Sequence, residues 1–258
     1  MSPPVTVVKI GGSTLGSARA TLLEVADIQR GGERLVLVHG GGDEISRRLA
    51  EAGIKADFVD GLRSTDDRAM PLVAEALEEV NSQIVSSLLG AGTTTRPFTA
   101  ESGLLKAKRM QSLGRVGEIV AVDIDALQEA IEQRAVPVIA PLARDVEDQG
   151  LLNVNGDTAA GEIAIAVGAA RLIFSTDVDG VHSRDGELLP VLHIDDAAVL
   201  LADGTAAGGM APKLRASMKA AGVGIECVIL DGRQAGSLRR VFAGGPVEGT
   251  RVGPRAAT

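Results

Sequence analysis

The chain contains neither tryptophan nor tyrosine, and only four of its 258 residues are phenylalanine. Single-stranded nucleic acids are bound largely by stacking of bases on aromatic rings, so this composition argues against such a partner. The net charge of -8 argues against it as well, because binding to a phosphate backbone depends on clustered lysine and arginine. An anionic small molecule would therefore have to be met by cations placed locally in its site.

Cysteine and histidine are also scarce. The one cysteine, Cys227, lies in an apolar run, so the chain can form no internal disulfide, and we expect a buried, inert thiol. His39, His182 and His193 lack the spacing of metal ligands, so no metal ion held by the protein is predicted. No signal peptide or membrane-length apolar run is found, which predicts a cytoplasmic protein without a membrane partner.

Short aliphatic strands alternate with helical patterns along the whole chain. The first strand is predicted at 5–10, with a helix at 18–30 after it, and the second at 35–38, again with a helix after it. Later strands are predicted at 136–140, 172–174, 226–231 and 250–252, and later helices at 124–134, 195–201, 210–221 and 237–242. This alternation predicts a single α/β domain whose mainly parallel sheet is covered by helices on both faces.

The first two strands both end in glycine-rich turns. Gly11 and Gly12 follow the first strand, and His39-Gly40-Gly41-Gly42 follows the second. Parallel strands present such turns at one edge of the sheet, where backbone N–H groups and helix N-termini favour a phosphate. The sequence has no Walker loop, no dinucleotide fingerprint and no serine nucleophile elbow. Glycine turns, isolated lysines and aspartates at strand ends remain, and these are the groups that phosphoryl transfer uses.

The centre of the chain is a polar stretch at 153–160, where a strand end runs into a helix rich in small residues. Its position between the two halves of the chain is one where ligands collect in open α/β sheets. Asp157 has two interpretations here. It caps the helix, as Asp commonly does at a helix start, or it holds neighbouring cations.

Arg63 and Asp177 stand beside other predicted elements. Arg63 precedes a long helix, for which Ser64 or Thr65 is the predicted cap, and its guanidinium could bind a ligand carboxylate or lie exposed in solvent. Asp177 follows the strand at 172–174 and could contact a ribose, a metal ion or backbone amides. The local sequence leaves these alternatives open.

Six stretches resemble, in order and spacing, the motifs of the amino acid kinase family. They lie at 8–13, 38–42, 58–63, 153–160, 176–181 and 208–213. The resemblance covers nearly the whole chain and is strongest to the N-acetylglutamate kinases, for which Gly61-Leu62-Arg63 and Asn153-Val154-Asn155-x-Asp157 are fairly specific. It implies a three-layer αβα sandwich in one domain, with an N-terminal lobe (1–170) for the acyl substrate and dimerisation and a C-terminal lobe (171–258) for ATP.

The resemblance also implies a role for each matching residue. Lys9 and Lys213 would flank the transferred phosphoryl group, and Asp157 would hold both lysines in place. The acceptor would be held by Gly41, Gly42, Arg63 and Asn153, with the Gly41 N–H also directed to phosphate. The nucleotide and its phosphates would be bound by Gly11, Gly12, Asp177, Gly209 and Met210.

The activity implied is ATP-dependent phosphorylation of the side-chain carboxylate of N-acetyl-L-glutamate, in arginine synthesis, with Mg²⁺ arriving on the ATP. Two alternatives remain: a kinase acting on aminoadipate or glutamate linked to a carrier protein, and a family member that binds nucleotide or amino acid without turnover. Residues 97–103 depart from the family's usual Gly-Leu-Ser/Thr-Gly-x-Asp-Gly, which leaves room for another acceptor. Lys106, Lys108 and Arg109 are the candidates for a basic patch that would bind an acidic carrier.

The resemblance also bears on assembly. Members of the family that are inhibited by arginine carry an additional helix ahead of the first strand and assemble as hexamers. In this sequence only residues 1–4 precede the first strand. We therefore expect a homodimer that is insensitive to arginine.

Overall fold

The computed structural model describes residues 3–11 and 18–254. Its strands are β1 (Val5–Ile10), β2 (Arg34–His39), β3 (Phe58–Val59), β4 (Leu62–Arg63), β5 (Thr95–Phe98), β6 (Leu105–Arg109), β7 (Gly117–Val122), β8 (Val136–Ile139), β9 (Leu142–Asp145), β10 (Leu151–Asn153), β11 (Arg171–Thr176), β12 (Val191–His193), β13 (Glu226–Asp231) and β14 (Gly249–Gly253). Its helices are α1 (Ala18–Arg30), α2 (Gly42–Glu51), α3 (Ala69–Gly90), α4 (Ile124–Glu132), α5 (Gly156–Ala166), α6 (Ile194–Ala202), α7 (Met210–Ala221) and α8 (Ser237–Phe242). The predicted alternation of strands and helices is confirmed.

The central sheet has eight described strands in the order β12-β14-β13-β11-β1-β2-β8-β5. Strands β13 to β5 in this order are all parallel, whereas β14 runs antiparallel to β13 and parallel to β12 at the edge. The prediction of a mainly parallel sheet is therefore confirmed. A smaller sheet, in the order β10-β9-β6-β7, and the β3–β4 hairpin lie beside it.

Helices cover both faces of the central sheet because its strands are apolar on both faces. In β1, Val7 packs into the cluster that includes α4, α5, α6 and α7, whereas the next residue, Val8, packs into the cluster that includes α1, α3 and α8. Successive side chains of a strand point to opposite faces, so the adjacent apolar residues Val7 and Val8 supply both layers. The predicted αβα sandwich is confirmed. No described helix is both long enough and apolar enough to cross a membrane.

Two helices of the same layer, α5 and α7, approach each other closely. A Cβ atom added at Gly161 of α5 would lie 3.0 Å from the Cβ of Ala216 in α7. Small residues on both sides let the two backbones come together. This contact fixes the spacing between two helices that each begin at the edge of the sheet where the predicted site lies.

The order of strands changes direction at β1. From β1 the chain continues to β2 on one side, whereas β11, on the other side, leads to β13. The strands on the β11 side come from residues 171–253 and those from β1 onward come from residues 5–139. In open α/β sheets, ligands bind beyond the carboxyl ends of the strands at such a point.

The long helix α3 begins later than its predicted cap. Its first residue is Ala69, whose N–H donates to the carboxylate of Asp66 at 2.7 Å. The hydroxyl of Thr65 instead donates to the carbonyl of Arg63 at 3.0 Å. The prediction that Ser64 or Thr65 caps this helix is therefore wrong, because Asp66 offers a better placed acceptor.

Cys227 lies in β13 and is fully buried, as expected. Burial raises the pKa of its thiol to about 12. Since the thiolate is the reactive form, this cysteine is chemically inert at neutral pH.

Candidate active site

A cleft of about 380 Å³ lies beyond the carboxyl ends of β1, β2 and β11. The first turns of α2 and α5 also reach it, so two helix N-termini face the same space. Its polar lining includes Lys9, Arg63, Asn153, Asn155, Asp157, Asp177 and Lys213. The site thus combines residues from both sides of the point where the strand order changes.

Two lysines meet one carboxylate at the base of this cleft. The Lys9 Nζ lies 2.9 Å from Asp157 Oδ1, and the Lys213 Nζ lies 3.0 Å from Asp157 Oδ2. Lys213 also donates to the carbonyl of Gly209 at 3.2 Å. The side chains of Lys9 and Asp157 are 8% and 6% exposed. The arrangement holds two positive charges side by side where they have little contact with water.

The charge state of Asp157 follows from these neighbours. Burial works against its ionisation, but the ammonium groups of Lys9 and Lys213 outweigh it and hold the pKa of the carboxyl below its usual value. The group is therefore an anion at neutral pH. It balances one of the two positive charges and leaves a net positive centre.

Asp157 is not the cap of its helix. The cap is Asn155, whose side-chain oxygen accepts hydrogen bonds from the backbone N–H groups of Asp157 and Thr158 at 2.9 and 3.0 Å. Asp157 is the second residue of α5, and its side chain turns to the two lysines. Of the two interpretations left open by the sequence, the cap is therefore wrong and the contact with cations is observed.

The start of α5 packs tightly against β1 and β2. A Cβ atom added at Gly156 would lie 3.2 Å from the carbonyl oxygen of His39 and 3.5 Å from Lys9 Cε. A side chain at this position would crowd the His39 carbonyl, so glycine suits the close approach of the helix start to both strands. The position of Gly156 thereby brings Asp157 within reach of Lys9.

The glycine turn after β2 forms the start of α2. Gly41 occupies the cap position of α2, Gly42 is its first residue, and no described side chain caps the exposed N–H groups. A Cβ atom added at Gly41 would lie 2.7 Å from Leu77 Cδ2, so the turn is packed against α3. The N-terminus of α2 is thus open to an anion in the cleft.

The glycine turn after β1 is described only in part. The Gly11 N–H donates to the carbonyl of Ser175 at 3.0 Å, which extends the pairing of β1 with β11. In this conformation the N–H is occupied within the sheet, unlike the phosphate contact implied by the resemblance. Gly12 lies outside the described residues.

Arg63 also lines the cleft and is buried. Its Nη2 donates to the Gly42 carbonyl at 3.1 Å and to Ser46 Oγ at 2.9 Å, and its guanidinium lies 4.6 Å from the ring centroid of Phe58. Its Nη1 is buried and has no hydrogen-bond partner among the residues that the structure describes. Burial lowers the pKa of Arg63, although an arginine remains charged. A buried donor of this kind needs an acceptor, and a carboxylate fits the guanidinium best.

Asn153 also lines the cleft and is linked to Arg63 through the hydroxyl of Thr65. Its Nδ2 donates to Thr65 Oγ1 at 3.1 Å, and its backbone N–H donates to the Arg115 carbonyl at 2.8 Å. These two bonds fix the side chain at the end of β10. The predicted acceptor residues Gly41, Gly42, Arg63 and Asn153 are therefore neighbours on one side of the cleft.

The unusual segment at 97–103 does not reach the cleft. Phe98 is 3% exposed and packs in the core, whereas Pro97 is exposed at the surface. None of the described residues that line the cleft comes from 97–103. The segment therefore contributes no described side chain to the cleft, although Ala100 packs in the same cluster as Ile45 and Leu77, which line it.

A second cavity, of about 600 Å³, opens beyond the carboxyl ends of β11 and β13. Asp177 lines both cavities and so connects them, and Met210 lines the second. Gly209 is in the described lining of neither cavity, and its contact with Lys213 is its link to the site. Of the predicted nucleotide residues, Asp177 and Met210 therefore line the second cavity, Gly11 lines the cleft, and the roles of all five remain predictions.

Asp231 and Arg233 line the second cavity and were missed in the sequence. The Arg233 guanidinium forms two hydrogen bonds of 2.9 Å with the Asp231 carboxylate. Asp231-Gly232-Arg233 follows a parallel strand, as the turns after β1 and β2 do. Loops that follow parallel strands share one edge of the sheet. The same reasoning applied to β13 would have found Asp231 and Arg233.

His39 is buried beneath the glycine turn. Its Nδ1 lies 2.8 Å from the Gly40 carbonyl, and its Nε2 lies 3.1 Å from Asn81 Nδ2, which also donates to the Val138 carbonyl. Nδ1 therefore carries the proton and Nε2 accepts. Burial lowers the pKa of His39 from 6.5 to about 4, with a further lowering from Lys9. The neutral imidazole supports the turn through these hydrogen bonds. His39 is not among the described residues that line the cleft, so it cannot act as a base there.

We expect the pH dependence of folding to report on His39. Because the folded pKa lies below that of an unfolded histidine, the stabilisation is present above pH 6.5 and is lost as the pH falls toward about 4. Between pH 7 and pH 5 this group should lower the free energy of unfolding by about 2 kcal/mol. Urea unfolding of the wild type and His39→Asn at both pH values measures the difference.

The matched control for this experiment is His182→Asn. Asp179 raises the pKa of His182, so its contribution to stability is present at low pH and lost as the pH rises, which is the opposite sign. The wild type and His182→Asn should both lose stability on acidification, and His39→Asn should lose less. Equal losses in all three proteins would contradict the assignment to His39.

The chain is similar to known proteins in sequence and in fold. Residues 4–231 match the sequence profile of the amino acid kinase family. The chain is 36% identical to the acetylglutamate kinase of Dehalococcoides mccartyi over 98% of this chain and 96% of that protein. It is 39% identical to the acetylglutamate kinase of Rubrobacter xylanophilus over 95% of this chain and 96% of that protein.

Solved structures agree on the fold. A crystal structure of a protein from Streptococcus mutans superposes with a TM-score of 0.84 at 25% identity, covering 97% of this chain and 99% of that one. The N-acetylglutamate synthase of Neisseria gonorrhoeae, solved with coenzyme A and N-acetyl-glutamate, superposes with a TM-score of 0.88 at 23% identity. That alignment covers 98% of this chain and 60% of the synthase.

Proposed function

Because this chain belongs to the amino acid kinase family, we propose that it transfers the γ-phosphoryl group of ATP to the side-chain carboxylate of N-acetyl-L-glutamate. The product is N-acetyl-L-glutamyl 5-phosphate, in arginine synthesis. The observation that carries the proposal is the pair of lysines held on the buried carboxylate of Asp157. Two cations held where they have little contact with water stabilise the charge that develops on a phosphoryl group during its transfer.

The site contains the groups that this reaction needs. A carboxylate acceptor is already ionised at neutral pH, so its attack on phosphorus requires no general base. Lys9 and Lys213 then serve as catalytic residues on either side of the transferred group, and Asp157 holds both ammonium groups in place. The open N-terminus of α2 at Gly41 and Gly42 adds backbone N–H groups on the acceptor side.

Arg63 and Asn153 define the acceptor side of the cleft. The unpartnered Nη1 of Arg63 is available to a carboxylate of the acceptor that is not phosphorylated. Acetylglutamate has such a second carboxylate. The acceptor is then held at one end by Arg63 while its side-chain carboxylate extends toward the lysines.

The second cavity is the proposed site of the nucleotide. Asp177 and Met210 line it, and Asp177 also lines the cleft that contains Lys213, which supports a nucleotide whose phosphates extend toward Lys213. Among the residues that the structure describes, no group of three or more His, Cys, Asp or Glu side chains is arranged to hold a metal ion. Mg²⁺ is therefore expected to enter on the nucleotide, held by phosphate oxygens and water.

We also propose the division into lobes and the assembly that the resemblance implies. The boundary at residue 170 falls just before β11, where the strands of the two halves of the chain meet in the sheet. Residues 1–170 then bind the acceptor and form a homodimer, and residues 171–258 bind ATP. Light scattering at twice the mass of the chain would support the dimer, and a hexamer would contradict it.

The alternatives from the sequence have weaker support. Lys106 and Lys108 are exposed on β6, and neither is among the described residues that line the two cavities. No observation therefore favours a carrier-linked acceptor. Burying charged groups is unfavourable, and here one of the two positive charges is not balanced by Asp157. A protein without turnover would have no need to keep this arrangement.

Acyl phosphate formation tests the proposal. ATP and N-acetyl-L-glutamate are incubated with the protein, and the product is trapped with hydroxylamine while ADP is measured in parallel. We expect ADP and hydroxamate in equal amounts, dependent on the acceptor and abolished in Lys213→Ala. ADP binding without hydroxamate would contradict the proposed acceptor, and acetylaminoadipate and carrier-linked substrates would then be assayed.

A further inference from the structure

The loop at 232–236, between β13 and α8, contributes Arg233 and Gln234 to the second cavity. Arg233 belongs to this loop and its guanidinium is paired with Asp231 at the end of β13, so the position of the guanidinium depends on both the loop backbone and the strand. If the second cavity binds the nucleotide, as proposed above, whatever fixes the 232–236 loop also fixes one wall of the nucleotide site.

Both ends of the 232–236 loop are bound to α1, which is distant in sequence. The hydroxyl of Thr21 donates to the Gly232 carbonyl at 2.8 Å. At the other end, the Glu24 carboxylate accepts from the Gly236 N–H at 2.5 Å and from the N–H groups of Leu238 and Arg239 at 3.1 and 3.2 Å. One face of a single helix therefore holds the loop at two points.

These contacts are buried. Thr21 is 3% exposed and Glu24 is 5% exposed. Burial of a carboxylate is unfavourable unless hydrogen bonds satisfy it, and here three backbone N–H groups do so. Such bonds require a defined geometry, unlike the apolar contacts of α1, which would tolerate a small displacement of the loop.

We propose that Thr21 and Glu24 are positioning residues for the nucleotide. They fix the 232–236 loop relative to α1, and Leu22 and Val25 of α1 pack in the same buried cluster as Val8 of β1. The strand that supplies Lys9 to the phosphoryl group is thereby held in a defined position relative to the loop that supplies Arg233 to the nucleotide. The inference rests on the proposed function only for the identity of the second cavity as the nucleotide site.

The test compares Glu24→Ala, Glu24→Gln and Thr21→Val. The dissociation constant of MgADP is measured by calorimetry, and the KM values for ATP and acceptor are measured separately. Glu24→Ala should raise the constant for MgADP and the KM for ATP about tenfold, and the KM for the acceptor should stay within about twofold. Glu24→Gln, which keeps one acceptor oxygen, should recover part of the loss, and Thr21→Val should shift the same two constants.

Asp27→Asn is the matched control. Asp27 lies on the same helix and pairs with Arg239 of α8, but both groups are partly exposed and neither is in the described lining of the cavity. This variant should leave nucleotide binding unchanged. If all four variants lower the melting temperature and none changes the MgADP constant, the contacts stabilise the fold alone and the inference is wrong.

The two proposals can fail separately. The MgADP titration needs no turnover, so a wild type that binds MgADP but forms no acyl phosphate contradicts the proposed acceptor and leaves the test of Glu24 intact. If Glu24→Ala does not fold, Glu24→Gln and Thr21→Val decide the question. A change in the KM for the acceptor as large as that for ATP would contradict the positioning of the nucleotide.

Discussion

Replacement of Lys9 or Lys213 by methionine should lower kcat by about a hundredfold or more, with much smaller changes in KM for either substrate. Methionine keeps the length of the side chain and removes the charge. Each ammonium group lies within 3.0 Å of the Asp157 carboxylate, where it can act on a phosphoryl group in the cleft. The charge on that group rises only as the reaction proceeds, so the loss should appear in kcat.

Rapid-quench or steady-state measurement of acyl phosphate gives kcat for each variant. Lys219→Met is the matched control, because Lys219 lies on α7 with Lys213 but forms an exposed ion pair with Glu162. The control should retain wild-type turnover. The double variant of Lys9 and Lys213 should lose less than the product of the two single losses, because both groups act on the same charge. Full activity of either single variant would contradict the assignment.

Replacement of Arg63 by methionine should raise the KM for the acceptor by roughly 30-fold or more and leave the KM for ATP nearly unchanged. The buried Nη1 is the group that the proposed carboxylate would satisfy. Arg63→Lys should be intermediate, because lysine keeps the charge but lacks the planar fork that binds a carboxylate with two bonds. Initial rates at varied acceptor and fixed ATP measure both constants.

The control for Arg63 is Arg96→Met. Arg96 also lies over a phenylalanine, with its guanidinium 5.6 Å from the centroid of Phe98, and it forms an ion pair with Glu129. It is absent from the described lining of both cavities. Its replacement should alter neither KM. An equal rise in the KM for the acceptor in both variants would contradict the assignment of Arg63 to the acceptor.

The sequence predicted the elements of the fold well because both faces of the sheet are buried. Strands such as β2 and β13 contain uninterrupted apolar runs, Leu35–Val38 and Cys227–Leu230, which a strand with one face in solvent would break with polar residues. Helix starts were harder to predict. Asn155 and Asp157 are both good capping residues, two positions apart, and only the packing of Gly156 against β1 and β2 decides which one faces the helix end.

The site could be predicted only in part for a related reason. Lys9, Asp157 and Lys213 belong to motifs that can be identified along the chain, but the hydrogen bonds of Glu24 to α8 join residues more than 200 positions apart. No local sequence pattern predicts a hydrogen bond between residues so far apart in the chain. Residues 97–103 show the converse, because their motif is unusual in sequence while Phe98 lies in the core, away from the cleft.

The buried triad of Lys9, Asp157 and Lys213 also limits how this protein can be made more thermostable. Burying ions is unfavourable, and well-packed apolar residues in place of a buried ion cluster are often neutral or stabilising. A selection for heat resistance alone would therefore favour apolar residues at these three positions. The same charges are proposed to perform the reaction, so thermostability gained at these positions would come with loss of turnover. Screens for thermostable variants should therefore keep Lys9, Asp157 and Lys213 unchanged.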